Sequence, residues 1–294
     1  MIVDLHTHNS VGSGDSRVSP RELVVKAKQR GISAICVTDH DSHRAVLEIR
    51  KIGCDEGILV FKGIELSTRY GHLLILGVDV YELIGGSLKR EVLDELISRI
   101  RADGTGIQRL SEIFKVFYYR LFSEINCLIR MVHESKGAVV LAHPFGGYDP
   151  TTTNMRYYLD RYLMSSNSDS CVKTTDLLTF VKKQDPTLFN MLHQVDGIEV
   201  LNPLCWGVEN RAAFVLANYL HKNWIGGSDC HTPSMVGICA TEFSKEMGSE
   251  EEFLSELKKY GTTNPKINIK KDEVWPWWGN ERHDTFRLFN SLGS

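Results

Sequence analysis

No apolar run in this chain approaches the roughly 18 residues that a membrane-spanning helix needs, so no helical span is expected. Cysteine is sparse and unpatterned. The seven cysteines are odd in number, widely spaced and without a Cys-x-x-Cys pair, which argues against a disulfide framework and fits reduced thiols in a cytoplasmic protein. Charge of one sign is also missing: the net charge of -3 disfavours a broad nucleic-acid-binding surface. It leaves room for a local phosphate pocket, because bound cations can supply positive charge that the chain total lacks. There is no internal repeat and no charge run. The first residues read as a strand, with no basic segment and apolar signal core ahead of it, so export is not expected. What remains is ordinary for a soluble enzyme, with 42% apolar and 24% charged residues. Its 294 residues suit one large domain, or one domain with an inserted piece, and α/β barrels often reach this size.

Against that background, Asp4-Leu5-His6-Thr7-His8 stands out. Ile2, Val3 and Leu5 favour a strand, and side chains two apart share a face, so His6 and His8 can offer two imidazoles to one ion. A lone His-x-His is weak evidence. Five further segments each end an apolar run with a candidate ligand: Thr38-Asp39-His40-Asp41, Gly63-Ile64-Glu65, Gly71-His72, Ala142-His143-Pro144 and Gly227-Ser228-Asp229-Cys230-His231. Six of the eleven histidines fall in these segments. His133, His193 and His221 lie in helical-looking stretches and read as surface or capping residues. Imidazoles with carboxylates suit zinc, manganese or iron. Cys230 alternates away from the ligand face.

Repeated strand-helix units predict a parallel sheet or barrel. Strands are expected at Ile2–His6, Ala34–Thr38, Ile58–Leu66, Leu73–Val78, Ala138–Ala142, Gly197–Asn202, Ile225–Asp229 and Gly237–Thr241. Ser19, Pro20 and Glu22 spell a capping box opening the first helix, which Gly31 ends. Further helices are expected over Arg44–Ile52, through much of Ser87–Lys136, and over Val208–Lys222. Gly147–Gln194 reads as the least regular part, an insertion or lid at the mouth of a site, with Arg156 as a candidate phosphate ligand. The Trp275-Pro276-Trp277-Trp278 cluster is expected to pack on the domain or on an oligomer partner, and the oligomeric state is left open. In a barrel, strand ends converge on one face, and this many ligands exceeds the need of a single ion. Two or three ions, with a carboxylate such as Glu65 bridging a pair, accounts for the number better.

In their order and combination, Asp4-Leu5-His6-Thr7-His8, Thr38-Asp39-His40-Asp41, Gly63-Ile64-Glu65, Ala142-His143-Pro144 and Gly227-Ser228-Asp229-Cys230-His231 resemble the polymerase and histidinol phosphatase superfamily, the PHP domain, over nearly the whole chain. The resemblance implies a distorted (β/α)7 barrel, here with a helical insertion, a trinuclear metal centre and hydrolysis of phosphate esters. It implies that His6, His8, Glu65 and Asp229 form the catalytic core around a first ion, that Glu65, His72 and His143 hold a second, and that Asp15, His40 and His231 hold a third. Asp15 follows a longer loop than in many relatives, so a loosely held third ion or a capping role for Asp15 both remain open. The chemistry implied is in-line attack by a water activated between two ions. Asp4 and Asp39 are expected to orient ligands, and His43 is a candidate general acid.

Among stand-alone relatives, the resemblance favours a phosphoesterase acting on a nucleotide, short oligonucleotide or other small phosphorylated molecule. A histidinol phosphatase or a 3′–5′ exonuclease is the alternative within the enzyme class. A barrel retained as an inactive structural or regulatory module is the alternative outside it.

Overall fold

The computed structural model describes residues 1–87, 125–146, 153–166 and 173–268. Most of the helical stretch expected within 87–136, parts of 147–194 and the Trp275–Trp278 cluster lie outside these residues. The strands are β1 (Ile2–Thr7), β2 (Ala34–Val37), β3 (Leu59–Thr68), β4 (Gly71–Leu76), β5 (Ala138–Leu141), β6 (Gly197–Leu201), β7 (Asn223–Gly226), β8 (Cys239–Phe243) and β9 (Thr263–Ile267). They form one sheet in the order β7-β6-β5-β4-β3-β2-β1-β8-β9. The chain leaving β7 runs beside β1, where Asp229 N donates to His6 O at 2.8 Å and Thr7 bridges Cys230. On β8, the Thr241 hydroxyl accepts from Gly226 N at 2.9 Å. The sheet thereby curls until it nearly closes on itself, a distorted (β/α)7-type barrel.

The strands are not all parallel. β1, β2 and β3 run parallel, as do β5, β6 and β7, but β4 is antiparallel to both β3 and β5, and β8 is antiparallel to β1 and β9. The reason lies in chain length: only Arg69 and Tyr70 separate β3 from β4, enough for a hairpin turn and far too few for a parallel crossover.

Helices α1 (Pro20–Gln29), α2 (Val46–Glu56), α3 (Val80–Ser87), α4 (Ile125–Glu134), α5 (Met155–Ser166), α6 (Thr174–Gln184), α7 (Pro186–Gln194), α8 (Gly207–Tyr219) and α9 (Glu250–Leu257) complete the described elements. The α1 capping box is formed: Glu22 N donates to Ser19 Oγ at 3.3 Å and Ser19 N donates to Glu22 Oε2 at 3.0 Å. The described part of 147–194 is helical rather than irregular. Its polar residues punctuate helices: Asn154 Oδ1 accepts from Tyr157 N at 3.1 Å, and Asp185 caps α7. Among the described residues no helix is long and apolar enough to cross a membrane.

Alternating strand residues divide two apolar clusters. Val3, Leu5, Ala34, Cys36, Phe61, Leu74, Leu76, Val140 and Ile225 face one another inside the barrel, together with Phe253, Leu254 and Leu257 of α9. Ile35, Val37, Ile64, Leu73, Ile75, Val139, Ile198 and Val200 face outward and pack beneath the helices.

Candidate metal centre

Along the inner face of the barrel, apolar residues give way to ligands toward one end. On β3 the inward residues run Phe61, Gly63, Glu65. On β4, antiparallel to it, Leu76 and Leu74 lead to His72, so Glu65 and His72 meet at the same end. His6 and His8 leave the end of β1, His143 follows β5, and Asp229 and His231 follow β7. Three non-glycine backbones adopt the left-handed region here: Asp41 (φ 46°), His143 (φ 25°) and Asp229 (φ 46°). Such conformations cost about 1–3 kcal/mol each and persist where surrounding structure enforces them.

The geometry is tight. Nε2 of His6 and Nε2 of His8 lie 3.1 Å apart. Glu65 Oε2 is 3.3 Å from the first and 3.1 Å from the second, and Asp229 Oδ1 is 3.5 and 3.1 Å away. The same Glu65 oxygen lies 2.8 Å from His40 Nδ1, while its Oε1 is 2.7 Å from His72 Nδ1 and 3.0 Å from His143 Nε2. One carboxylate therefore touches five imidazoles. At the rim, Asp15 Oδ2 lies 3.1 Å from His231 Nε2 and 3.3 Å from His40 Nε2. Asp15 is half-exposed, whereas His6, His8, Glu65 and Asp229 are buried.

All nine residues singled out in the sequence are thus gathered at one end of the barrel, with some regrouping. Donor atoms of His6, His8, Glu65 and Asp229 converge, as do those of His40, Glu65 and His72, of His8, His40 and His231, and of His6, His143 and Glu199. His40 therefore approaches Glu65 as well as the Asp15 corner. These donors fit divalent cations. Glu65 Oε2 and Asp229 Oδ1 are buried without a formed hydrogen bond, although imidazole nitrogens lie close by in poor direction for one. Buried carboxylate oxygens left this way are costly, and a cation among the four donors would satisfy both. Among the described residues no thiol joins these donor groups: Cys230 Sγ faces His8 O at 3.7 Å, and burial pushes the thiol up to about 12.

Electrostatics follow from the crowding. Burial by itself would depress the His8 imidazolium, yet Asp229 and Glu65 override it and hold the group up at about 9; His6 is likewise held well above its ordinary value by Asp229, Glu199 and Glu65. Burial would raise the Glu65 and Asp229 carboxyls, but His6 with His72 holds the first, and His6 with His8 the second, well below the usual carboxylate range. A cation held at His8 Nε2 would need that nitrogen unprotonated, so its binding would be coupled to proton release.

Orientation comes from partners behind the ligands. Ser13 Oγ lies 3.0 Å from His8 Nδ1, accepts from His40 N at 3.0 Å and donates to Asp39 Oδ1 at 3.0 Å. Asp39 also accepts from Asn9 N at 2.8 Å. Asp4 accepts from the backbone of His6, Ser228 and Gly237, stitching β1 to the loop after β7, and burial raises its carboxyl to about 6. His43 is not at the centre. Its Nδ1 lies 3.0 Å from Gly63 O and its Nε2 accepts from Val80 N at 3.3 Å, so both nitrogens serve the backbone rather than a leaving group. Arg156 pairs with Asp160 at 3.0 Å and Glu209 at 3.4 Å, which already matches its charge.

Glu199 was missed by sequence reasoning. Fully buried on β6, its Oε1 lies 3.0 Å from His6 Nδ1, and its Oε2 accepts from His143 N at 2.9 Å and from Asn202 Nδ2 at 3.0 Å. Asn202 Nδ2 also reaches Asp229 Oδ2 at 3.1 Å. The available signal was a single acid in the otherwise apolar strand Gly197–Leu201. By engaging Nδ1, Glu199 turns His6 Nε2 toward the other ligands. Glu199→Gln should weaken metal affinity about ten- to a hundredfold with the fold intact. Equilibrium titration with manganese checks this, and an unchanged affinity would mean that Glu199 does not orient His6.

A family model described as the PHP domain matches residues 4–162, more than half of the chain. The chain belongs to the PHP-domain family. A second model, described as PHP-associated, matches residues 207–262. Phosphoribosyl 1,2-cyclic phosphate 1,2-diphosphodiesterase of Eggerthella lenta is 31% identical over 107 residues, 33% of this chain and 40% of that protein. The 3′,5′-nucleoside bisphosphate phosphatase of Chromobacterium violaceum is 26% identical over 110 residues, 36% of this chain and 38% of the relative. The chain therefore spans well under two thirds of either relative. In fold, it is similar to a two-domain protein from Bacteroides vulgatus containing a predicted PHP-like metal-dependent phosphoesterase, with TM-score 0.52, 18% identity, and coverage of 91% of this chain and 64% of the other.

Proposed function

We propose that this PHP-family protein is a metal-dependent phosphoesterase acting on a small phosphorylated substrate of the nucleotide class. The supporting observation is the Glu65 carboxylate, buried and facing imidazoles with both oxygens, the arrangement a bridging ligand requires. His6, His8, Glu65 and Asp229 would hold one ion, Glu65, His72 and His143 a second, and Asp15, His40 and His231 a third. Their nitrogen and oxygen donors suit zinc, manganese or iron. Divalent ions there would supply an acidified water and offset negative charge on phosphoryl oxygens. The chain's own part is orientation. Glu199 and Ser13 engage the Nδ1 atoms of His6 and His8, leaving both Nε2 atoms toward the centre. The apolar barrel interior excludes water from beneath. Among the described residues the thiols of Cys36, Cys230 and Cys239 are buried and outside any disulfide, which fits a cytoplasmic location.

A phosphate-release screen with added manganese or zinc tests this reading, covering mononucleotides, 3′,5′-bisphosphates, short oligonucleotides and histidinol phosphate. Release from a nucleotide, with two or three equivalents of bound metal, is the expected outcome. No bound metal and no release would favour a barrel kept as a structural module. The rim site makes a separate prediction: because Asp15 is half-exposed and among the described residues reaches His231 and His40 but not the buried four-residue group, Asp15→Ala should lower metal content by about one equivalent and leave the other ions bound. Elemental analysis measures this, and an unchanged count removes Asp15 from the ligand set.

A further inference from the structure

Seven carboxylates are buried among the described residues, and most have a clear employer. Asp4, Asp39, Glu65, Glu199 and Asp229 belong to the metal centre and its supports, and Glu256 pairs with Lys259 at 2.8 Å and Lys245 at 3.5 Å. Asp185 is the exception. It caps α7, accepting from Thr187 N at 3.1 Å and Leu188 N at 3.0 Å, and a helix cap needs no more than that. Yet the same carboxylate also accepts from Tyr70 Oη at 3.2 Å and Tyr158 Oη at 3.1 Å, with the Arg69 guanidinium 3.7 Å away. Burial beside this carboxylate raises both phenols above their ordinary value, so they remain donors.

Arg69 and Tyr70 are the turn between β3 and β4, the hairpin that carries Glu65 on one strand and His72 on the other. His72 is two residues beyond Tyr70. Within the turn, Thr68 Oγ1 donates to Gly71 O at 2.6 Å and accepts from Tyr70 N at 3.1 Å, and Gly71 takes φ 98°, a conformation costly for other residues. The segment entering α5 grips the turn from outside: Thr153 N donates to Arg69 O at 2.7 Å, and Asn154 lies where a side chain on Gly71 would begin to press. The hairpin tip is thus held between the start of α5, Tyr158 and the α6–α7 junction.

We propose that Asp185 is a positioning residue, and that helices α5 to α7 clamp the β3–β4 hairpin so that His72 is held at the geometry its ion requires. This rests on the metal-centre reading above. The helical segment would then set the affinity of one ion, a role distinct from a lid that opens over substrate. Tyr70→Phe removes one hydroxyl, leaves the ring packed, and cuts the hairpin-side link to Asp185. Asp185→Asn keeps an acceptor for the α7 cap but removes the charge and one acceptor.

The test is manganese binding to the full chain, read as equivalents bound against free manganese, with thermal stability recorded alongside and His72→Ala as reference for complete loss of that ligand. Partners directly behind a ligand change affinity about ten- to a hundredfold, and Asp185 acts one link further out, so about a three- to tenfold weakening is expected for Tyr70→Phe. The weakened step should be the one that His72→Ala abolishes, with the remaining ions bound as before. Asp185→Asn should shift the same step in the same direction, and it decides the matter if Tyr70→Phe folds poorly. Unchanged manganese binding in a folded variant overturns the clamp, whatever happens to thermal stability. If the unsubstituted chain binds neither manganese nor zinc, the metal reading itself fails, and the clamp falls with it.

Discussion

Replacing Glu65 by alanine should abolish phosphoester hydrolysis, by on the order of a thousandfold or more, while the barrel remains folded. The size of the effect follows from position. Both carboxylate oxygens are engaged, one within 3.3 Å of His6, His8 and His40 and the other within 3.0 Å of His72 and His143, so one substitution disturbs two candidate ion sites at once. It also removes the carboxylate that the imidazoles share, leaving Asp229, Glu199 and Asp15 as their counter-charges and no bridging donor between the candidate ion sites. Glu65 adds little to the apolar core, because the inward positions below it on β3 are Gly63 and Phe61. Initial rates on whichever substrate the screen returns, with circular dichroism as the check on folding, decide the matter. Activity near that of the unsubstituted protein in a folded variant would remove Glu65 from the centre. His6→Ala and Asp229→Ala should behave alike, each deleting a donor from the same four-residue group.

Phe253→Ala should instead cost stability, about 3–5 kcal/mol, and leave the centre's chemistry alone. Phe253 is fully buried on α9, stacked on Phe61 with ring centroids 4.4 Å apart and set edge-on to Phe243 at 5.7 Å. With Leu254 and Leu257 it plugs the barrel at the end opposite the ligands. The ring fills space that strand side chains cannot reach, so truncation leaves a cavity rather than a collapse. Against a typical total of about 5–15 kcal/mol, that loss brings the protein close to unfolding at physiological temperature. Urea denaturation measures it. A loss under about 1.5 kcal/mol would show that neighbouring side chains repack and that α9 is not a plug.

Much of the centre was legible before any coordinates, because ligand identity is local chemistry. A strand ending in His-x-His, or an apolar run ending in Ser-Asp-Cys-His, announces its donors by residue type and by alternation. The Ser19–Glu22 cap was legible for the same reason: it needs only four consecutive residues. Strand direction was less so. The repeat of strand and helix suggested a parallel barrel, and only the brevity of Arg69-Tyr70 betrays that β4 turns back. Gly147–Gln194 read as the least regular part, whereas in the fold Asn154 and Asp185 are the starts of helices.

By itself, then, the sequence determined which side chains can bind a cation, which segments end in them, and that no apolar run reaches the length of a membrane-spanning helix. Tertiary structure alone decided how those ligands share Glu65, that Glu199 stands behind His6, that His43 serves the backbone, and that Asp185 reaches the hairpin bearing His72. The division has a physical cause. A residue's donor atoms and strand propensity are carried by the residue and its neighbours, but His6 and Glu199 are 193 positions apart, and Tyr70 and Asp185 are 115 apart. Such pairs come within hydrogen-bond reach only when the sheet closes and the helices pack against it, and no local pattern records which of many buried polar groups will then be neighbours.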